Sequence, residues 1–388
     1  MTNPLPDERY PTLADLEGVA KGRMPHFAWE YLDSGTGRES LVHRNETEFD
    51  NIRMIPRFMR GELNPTTETK LFGETYSAPF GIAPIGFTSL MWPGGEQILA
   101  KTAAEFNIPF CLSTVAADSM ENCGPVAKGN GWFQLYPPKD KEIRGDLIKR
   151  AKSAGFKTLV VTVDLPYPSM RERQRRAGLS MPQKITPSIL MQILQRPKWA
   201  SATASRGKPE FSNLTKYVKN DEIGDIYTFV GTQLIADIDW DYIKEVRELW
   251  DGPVVLKGTL SAEEALDTVK VGIDGVWVSN HGGRQFDPAP TSISVLSDIV
   301  EAVNGKATIL FDSGVRSGAD ILRAQRLGAD FVFLGRPFIH GIAALGDMGG
   351  RQVYEILFRD IVNNMQQLGV NSFEELMQVE IMHGLGEQ

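Results

Sequence analysis

Eight short apolar runs punctuate the chain: "PFGIAP" to 84, "IPFCLS" to 113, "WFQLY" to 136, "TLVVTVD" to 164, "PVVLKG" to 258, "DGVWVSN" to 280, "TILFDSG" to 314 and "FVFLGRP" to 337. Their hydrophobicity is continuous rather than alternating, which suits strands covered on both faces. The segments between them, such as "AEEALDTVKVG" and "GADILRAQRLG", repeat apolar residues at helical spacing and close on glycine. Eight strand–helix units predict an α/β fold, the (β/α)8 TIM barrel. A far longer gap separates the fourth and fifth runs and marks an insertion, bounded at 171–222. The first 75 residues read as a helical cap, with helices in "TLADLEGVAKGRMPHFAWEYLDSG" and a linker in "IRMIPRFMRG". The whole chain, 1–388, is expected to form one domain.

Composition narrows the function. With 388 residues, 42% hydrophobic, the chain can bury one large core. A net charge of −8 argues against a general nucleic-acid binder. No apolar run is long enough to cross a bilayer, and the N-terminus lacks a basic start and an apolar h-region, so a cytoplasmic protein is expected. Of two cysteines, Cys111 falls in an apolar strand-like run and Cys123 in a turn; neither has metal or redox spacing.

Active sites of this fold gather at the C-terminal ends of the strands, and there the polar residues converge. Gln134 and Tyr136 end the third run, Thr162 and Asp164 the fourth, and Lys257 the fifth. His281 and Arg284 follow the sixth, Asp312 and Gly314 end the seventh, and Gly335 and Arg336 the eighth. Alone, Asp164 would read as a helix cap and Lys257 as a solvated lysine; their company changes that reading. "DSGVRSG" and "LGRP", across the last two strands, pair glycines with Arg316 and Arg336 as a barrel phosphate site requires.

"SNHGGRQ", "FQLY", "TVDLP" with a downstream "RER", "LKG", "DSGVRSGADILRAQRLGA" and "LGRP" resemble the FMN-dependent 2-hydroxy-acid oxidising family, from about residue 10 to 370. "LMWPGGE", "RPKW", "DIDWDYIKEVRELW" and "GTLSAEE" resemble its mandelate dehydrogenase branch. The resemblance implies FMN, with its phosphate at the glycine–arginine site. It implies isoalloxazine contacts from Ser113, Gln134, Thr162 and the backbone of Ala83 and Pro84, ribityl contacts from Asp312, and Lys257 beside the flavin N1/C2 carbonyl. Ser279, within "SNHGGRQ", joins the implied cofactor set.

Oxidation of R–CH(OH)–COO⁻ needs a base, a cationic clamp and an electron acceptor. His281 is the expected base, with a ring pKa suited to neutral pH, and Asp164 the group that orients it. Arg284 and Arg171, from "MRER", match a carboxylate bidentately. Gly282 and Gly283 are expected to leave room for substrate and flavin. Tyr31 and Tyr136 carry over from the family as hydroxyl donors to substrate. The other histidines have no such company.

Two positions bear on substrate and acceptor. Gly86, in "APIG", stands where oxidase relatives carry alanine, which favours a non-oxygen acceptor such as a quinone. Val115 stands where glycolate oxidase has a tryptophan, which favours a bulky aryl or long aliphatic substrate. An oxygen-using oxidase or monooxygenase remains the alternative, and a non-catalytic flavin protein is disfavoured by the intact base and clamp. The stretch Arg171–Lys219 carries +9, leaving −17 on the remainder, and encloses the apolar "ITPSILMQILQRPKW". A basic apolar helix suits a membrane interface, so peripheral contact through 180–210 is expected beside the alternative of an active-site lid. A homo-tetramer is implied by the family.

Overall fold

The computed structural model describes residues 5–179, 184–218, 229–234 and 238–383. Eight parallel strands close into a barrel: β1 (Phe80–Ile82), β2 (Phe110–Ser113), β3 (Gly131–Leu135), β4 (Thr158–Thr162), β5 (Val254–Thr259), β6 (Gly275–Val278), β7 (Thr308–Phe311) and β8 (Phe331–Leu334). Closure is made by β8 on β1, with Val332 opposite Phe80 and Leu334 opposite Ile82. Each strand falls on one of the eight apolar runs, because both of its faces are buried; only Gly131 and Thr259 extend a strand one residue beyond its run. Side-chain caps start the surrounding helices where expected. Ser119, Asp140, Asp239, Thr291 and Ser317 each accept a first-turn N–H.

The barrel interior is layered. Trp132, Trp277, Phe331 and Phe333 fill its lower part, with Trp277 and Phe333 centroids 4.2 Å apart. A hairpin of Thr69–Leu71 and Glu74–Tyr76 plugs the bottom, where the Tyr76 hydroxyl accepts from Trp132 Nε1 at 3.3 Å. The charged side chains of the interior, Lys257 and Asp312, lie above this aromatic layer, toward the mouth.

Three cap helices, Leu13–Arg23, His26–Asp33 and Ser40–Thr47, cover part of that mouth. Asp287, after β6, accepts backbone N–H bonds from Arg38 and Leu41 at 3.1 and 2.9 Å, which docks the cap on the barrel. The expected linker at 52–61 is only partly one: Ile52–Met54 forms a strand paired antiparallel with Ile381–His383. Cys123 lies in the helix Met120–Val126 rather than in a turn, and both cysteines are buried and unbridged.

The described part of the insertion contains the helices Glu172–Arg176, Pro187–Leu194 and Pro197–Arg206; residues 180–183 and 219–222 of the expected segment lie outside the described residues. It is tied to the cap and to the helix Thr88–Met91 that follows β1. Gln192 Oε1 accepts from Phe27 N at 2.9 Å, Arg196 Nε donates to Met24 O at 3.0 Å, and buried Trp199 donates to Leu90 O at 3.1 Å.

Candidate active site

A cavity of ≈ 400 Å³ opens above the C-terminal ends of the strands. On one wall the turn after β6 presents His281, whose Nδ1 lies 2.9 Å from Asp164 Oδ1 at the end of β4. His281, Gly282 and Gly283 form three consecutive left-handed residues, with φ of 58°, 63° and 76°. The glycines answer a packing need that differs from the expected one. A β-carbon on Gly282 would stand 2.8 Å from Arg336 Nη1, and one on Gly283 would stand 2.9 Å from the Val42 backbone nitrogen. The room they leave is taken by Arg336 and by the cap.

Charge in the cavity is arranged in two cationic groups. Lys257, buried on β5, donates to Ser279 Oγ at 2.8 Å and pairs with Asp312 Oδ2 at 3.1 Å. Burial works against its charge, but Asp312 and Asp164 outweigh it and raise its pKa. Gln134 extends this polar floor, donating to Thr162 Oγ1 at 2.9 Å and accepting from Ser113 Oγ at 2.7 Å. Opposite stand the arginines. Arg284 donates to Leu32 O and Ser34 O at 3.2 and 2.8 Å and lies 5.5 Å over the Tyr31 ring. Burial first, and then Arg171 and Arg336, pull its pKa well below the usual guanidinium range. Arg336 bonds Gly282 O at 3.0 Å, and burial with nearby Arg316 draws it down to about 10. Buried guanidinium groups that destabilise one another favour the binding of an anion.

Burial also depresses His281, more than Asp164 raises it. Burial alone would raise the Asp164 carboxyl, but His281 and Lys257 hold it below the ordinary carboxylate range. The pair thus rests as a neutral ring beside a carboxylate. Tyr136 is pushed upward by burial and by Asp164, and so keeps its phenolic proton.

The expected residues converge with three displacements. Ala83, Pro84, Gly86, Gly314, Arg316 and Gly335 line the cavity, as do His281, Arg171 and Arg284. Asp164, Ser113 and Ser279 do not; each sits one step back, bonded to a residue that does. Arg316 lines the cavity but also pairs with Glu46 at 2.7 Å. Lining residues that the expected set did not include are Gln174 and Phe211 from the insertion, Leu165 before it, Val230 and Leu234 after it, and Met91 after β1, among others. Their signal in the sequence is weak, since each lies outside the strand-end positions.

A TIM barrel whose mouth joins a His–Asp pair to clustered guanidinium groups and a buried lysine is an enzyme built for an anionic substrate and a cofactor. The family model "FMN-dependent dehydrogenase" matches residues 20–383, and the chain belongs to that family. It is 37% identical over 374 residues to an L-lactate dehydrogenase of Pseudomonas aeruginosa, covering 96% of this chain and 98% of that one, and 37% identical to that of Serratia proteamaculans over 373 residues, with the same coverage. Among solved structures, the monotopic membrane protein (S)-mandelate dehydrogenase superposes with a TM-score of 0.89 at 31% identity, over 94% of this chain and 97% of that one. A mandelate oxidase in complex with (S)-2-phenylpropionate gives 0.82 at 33%, over 97% and 99%. The chain is accordingly an FMN-dependent oxidoreductase of 2-hydroxy acids, acting on CH–OH.

The donor set fits FMN. Buried, charged Lys257 with Gln134 and Thr162 offers donors to a polar ring edge at the barrel axis. Arg336 opens the helix Arg336–Leu345, whose N-cap Gly335 makes no side-chain cap bond, and the depressed Arg336 guanidinium beside it suits a phosphate dianion.

Proposed function

We propose that the chain oxidises a bulky L-2-hydroxy acid to its 2-oxo acid and passes the electrons to a quinone or another acceptor than oxygen. The observation that carries this is the His281–Asp164 contact at 2.9 Å, facing a cavity in which Arg284 is buried beside Arg171 and Arg336. With Nδ1 engaged by Asp164, Nε2 is the nitrogen left to take the substrate proton. Asp164 then stabilises the imidazolium as it forms. Arg171 and Arg284 bind the carboxylate and set the α-carbon's orientation, while Tyr31 and Tyr136 supply hydroxyl donors. Bound FMN would supply the acceptor for the two electrons and the second of the two hydrogens that leave the substrate. Gln134, Thr162 and Lys257 hold its ring, Ser113 and Ser279 support them, and Arg316 and Arg336 hold its phosphate.

Substrate size follows from the wall after β2. Val115 takes the place of a larger side chain, and Phe211, Leu234 and Met91 complete an apolar surround. The test is the ratio of kcat/KM for glycolate, L-lactate and (S)-mandelate, with reoxidation by a quinone compared with air. Preference for the larger acids and the quinone supports the reading; preference for glycolate and air contradicts it.

Peripheral membrane contact is favoured over a lid that only packs inward. The helix Pro187–Leu194 buries Ile189 yet leaves Leu190, Met191 and Leu194 exposed, with Ile185 67% exposed just before it. A solved relative at TM-score 0.89 is itself a monotopic membrane protein. No helix among the described residues is long and apolar enough to cross a membrane. We place the contact on the inner face of the cytoplasmic membrane.

A further inference from the structure

We propose that Asn45, in the cap, is a positioning residue for His281, acting through Asn280. The inference rests on His281 being the base. The turn that carries His281 runs left-handed for three residues, a conformation that an L-residue with a β-carbon adopts at a cost. Something outside the turn must hold it. Each of its three N–H groups meets a side-chain oxygen: His281 N donates to Ser279 Oγ at 3.1 Å, Gly282 N to Ser313 Oγ at 3.1 Å, and Gly283 N to Asn280 Oδ1 at 3.1 Å.

Ser279 and Ser313 are fixed by further bonds, to Lys257 and to Asp312 respectively. Asn280 is fixed by Asn45. Asn45 Nδ2 donates to Asn280 Oδ1 at 2.9 Å, and Asn280 Nδ2 donates back to Asn45 Oδ1 at 2.7 Å. Both residues are buried, at 2% and 5% exposure. The orientation of the pair is determined by its surroundings: Asn280 must present oxygen to Gly283 N and nitrogen to Pro290 O, 3.2 Å away, and the Asn45 amide must then match it.

Asn45 also presses on the phosphate loop. A β-carbon on Gly314 would stand 1.9 Å from Asn45 O. The cap helix Ser40–Thr47 therefore touches both loops through backbone, and Asn45 alone adds a directed side-chain link to the turn of the base. Arg284, on the same turn, is held separately by Leu32 O and Ser34 O. Loss of Asn45 should thus disturb the base more than the carboxylate clamp.

The experiment is a double-mutant cycle on anaerobic flavin reduction in the holoenzyme, with Asn45→Ala and His281→Gln, and with FMN content and melting temperature as readouts besides activity. In the wild-type background Asn45→Ala is expected to slow reduction roughly tenfold to a hundredfold, as small misplacement of a reacting group does, with half-saturation changed by less than about twofold. In the His281→Gln background the same substitution is expected to cost less than about twofold, because no base remains to position. An equal loss in both backgrounds, or no loss in the first, overturns the assignment. Asn45→Ser serves as a second, polar variant; if both variants lose FMN, Asn45 supports the cofactor and the positioning role is rejected. If His281→Gln itself reduces flavin at the wild-type rate, the base reading fails and takes this proposal with it.

Discussion

Val115 Cγ2 lies 2.7 Å from where a β-carbon on Gly86 would stand, so these two cavity-lining positions are in contact. They are one feature. The Tyr31 hydroxyl completes it, donating to Gly86 O at 3.3 Å and standing 3.4 Å from the same missing β-carbon. Gly86→Ala should therefore destabilise the holoenzyme by about 1–3 kcal/mol, as overpacking does. Gly86→Ala with Val115→Ala should recover most of that. Melting of the two variants with FMN bound checks this; equal melting temperatures would show that Val115 yields freely.

The pH dependence follows from the base. Burial lowers the His281 pKa below 6.5, so the neutral, proton-accepting ring persists into mild acid. As pH falls the ring charges, and kcat/KM drops with a midpoint below 6.5. Asp164→Asn removes the carboxylate that raises the ring's pKa, so it should move that midpoint further down while also slowing the reaction. A midpoint that moves upward in Asp164→Asn would contradict the assigned pairing.

Arg336→Ala should weaken FMN binding by about 1.5–3 kcal/mol, the range for hydrogen bonds to a charged group. Equilibrium dialysis of FMN, with riboflavin as the phosphate-free control, checks this. The control should show little change. Equal loss for both flavins would place Arg336 away from the phosphate.

The insertion calls for a surface variant rather than a deletion. Removing 180–210 would also strip Trp199 from Phe27, with which it makes an edge contact at 5.8 Å. Leu190→Gln with Met191→Gln and Leu194→Gln leaves that inner face intact. These changes should abolish flotation with anionic vesicles at high salt, and leave at low salt only the attraction of basic residues, roughly 1 kcal/mol for each near the surface. Unchanged flotation of the triple variant would put the membrane contact elsewhere.

The barrel was legible in the sequence because parallel strands buried on both faces leave continuous apolar runs, and because function gathers at their ends. Other elements left weaker traces. The hairpin Thr69–Tyr76, "TKLFGETY", has neither an apolar run nor an alternating pattern, and the strand Ile52–Met54 exists only through residues 381–383, over three hundred positions away. Ser113 and Ser279 stand at strand ends as expected. Whether a strand-end side chain points into the cavity or toward its neighbour depends on the local twist, which spacing does not encode. Asn45 sits among polar residues of a cap helix, and its importance arises from a partner 235 positions away.

The most direct test of the central claim is anaerobic stopped-flow bleaching of the bound flavin by an L-2-hydroxy acid such as (S)-mandelate, compared between the wild-type enzyme and His281→Gln. The account predicts saturable bleaching in the wild type, and bleaching slower by roughly 10²–10⁴ in a variant that keeps its FMN, the range of general-base contributions. No bleaching of the wild type by any 2-hydroxy acid, or equal rates in the two proteins, would contradict it.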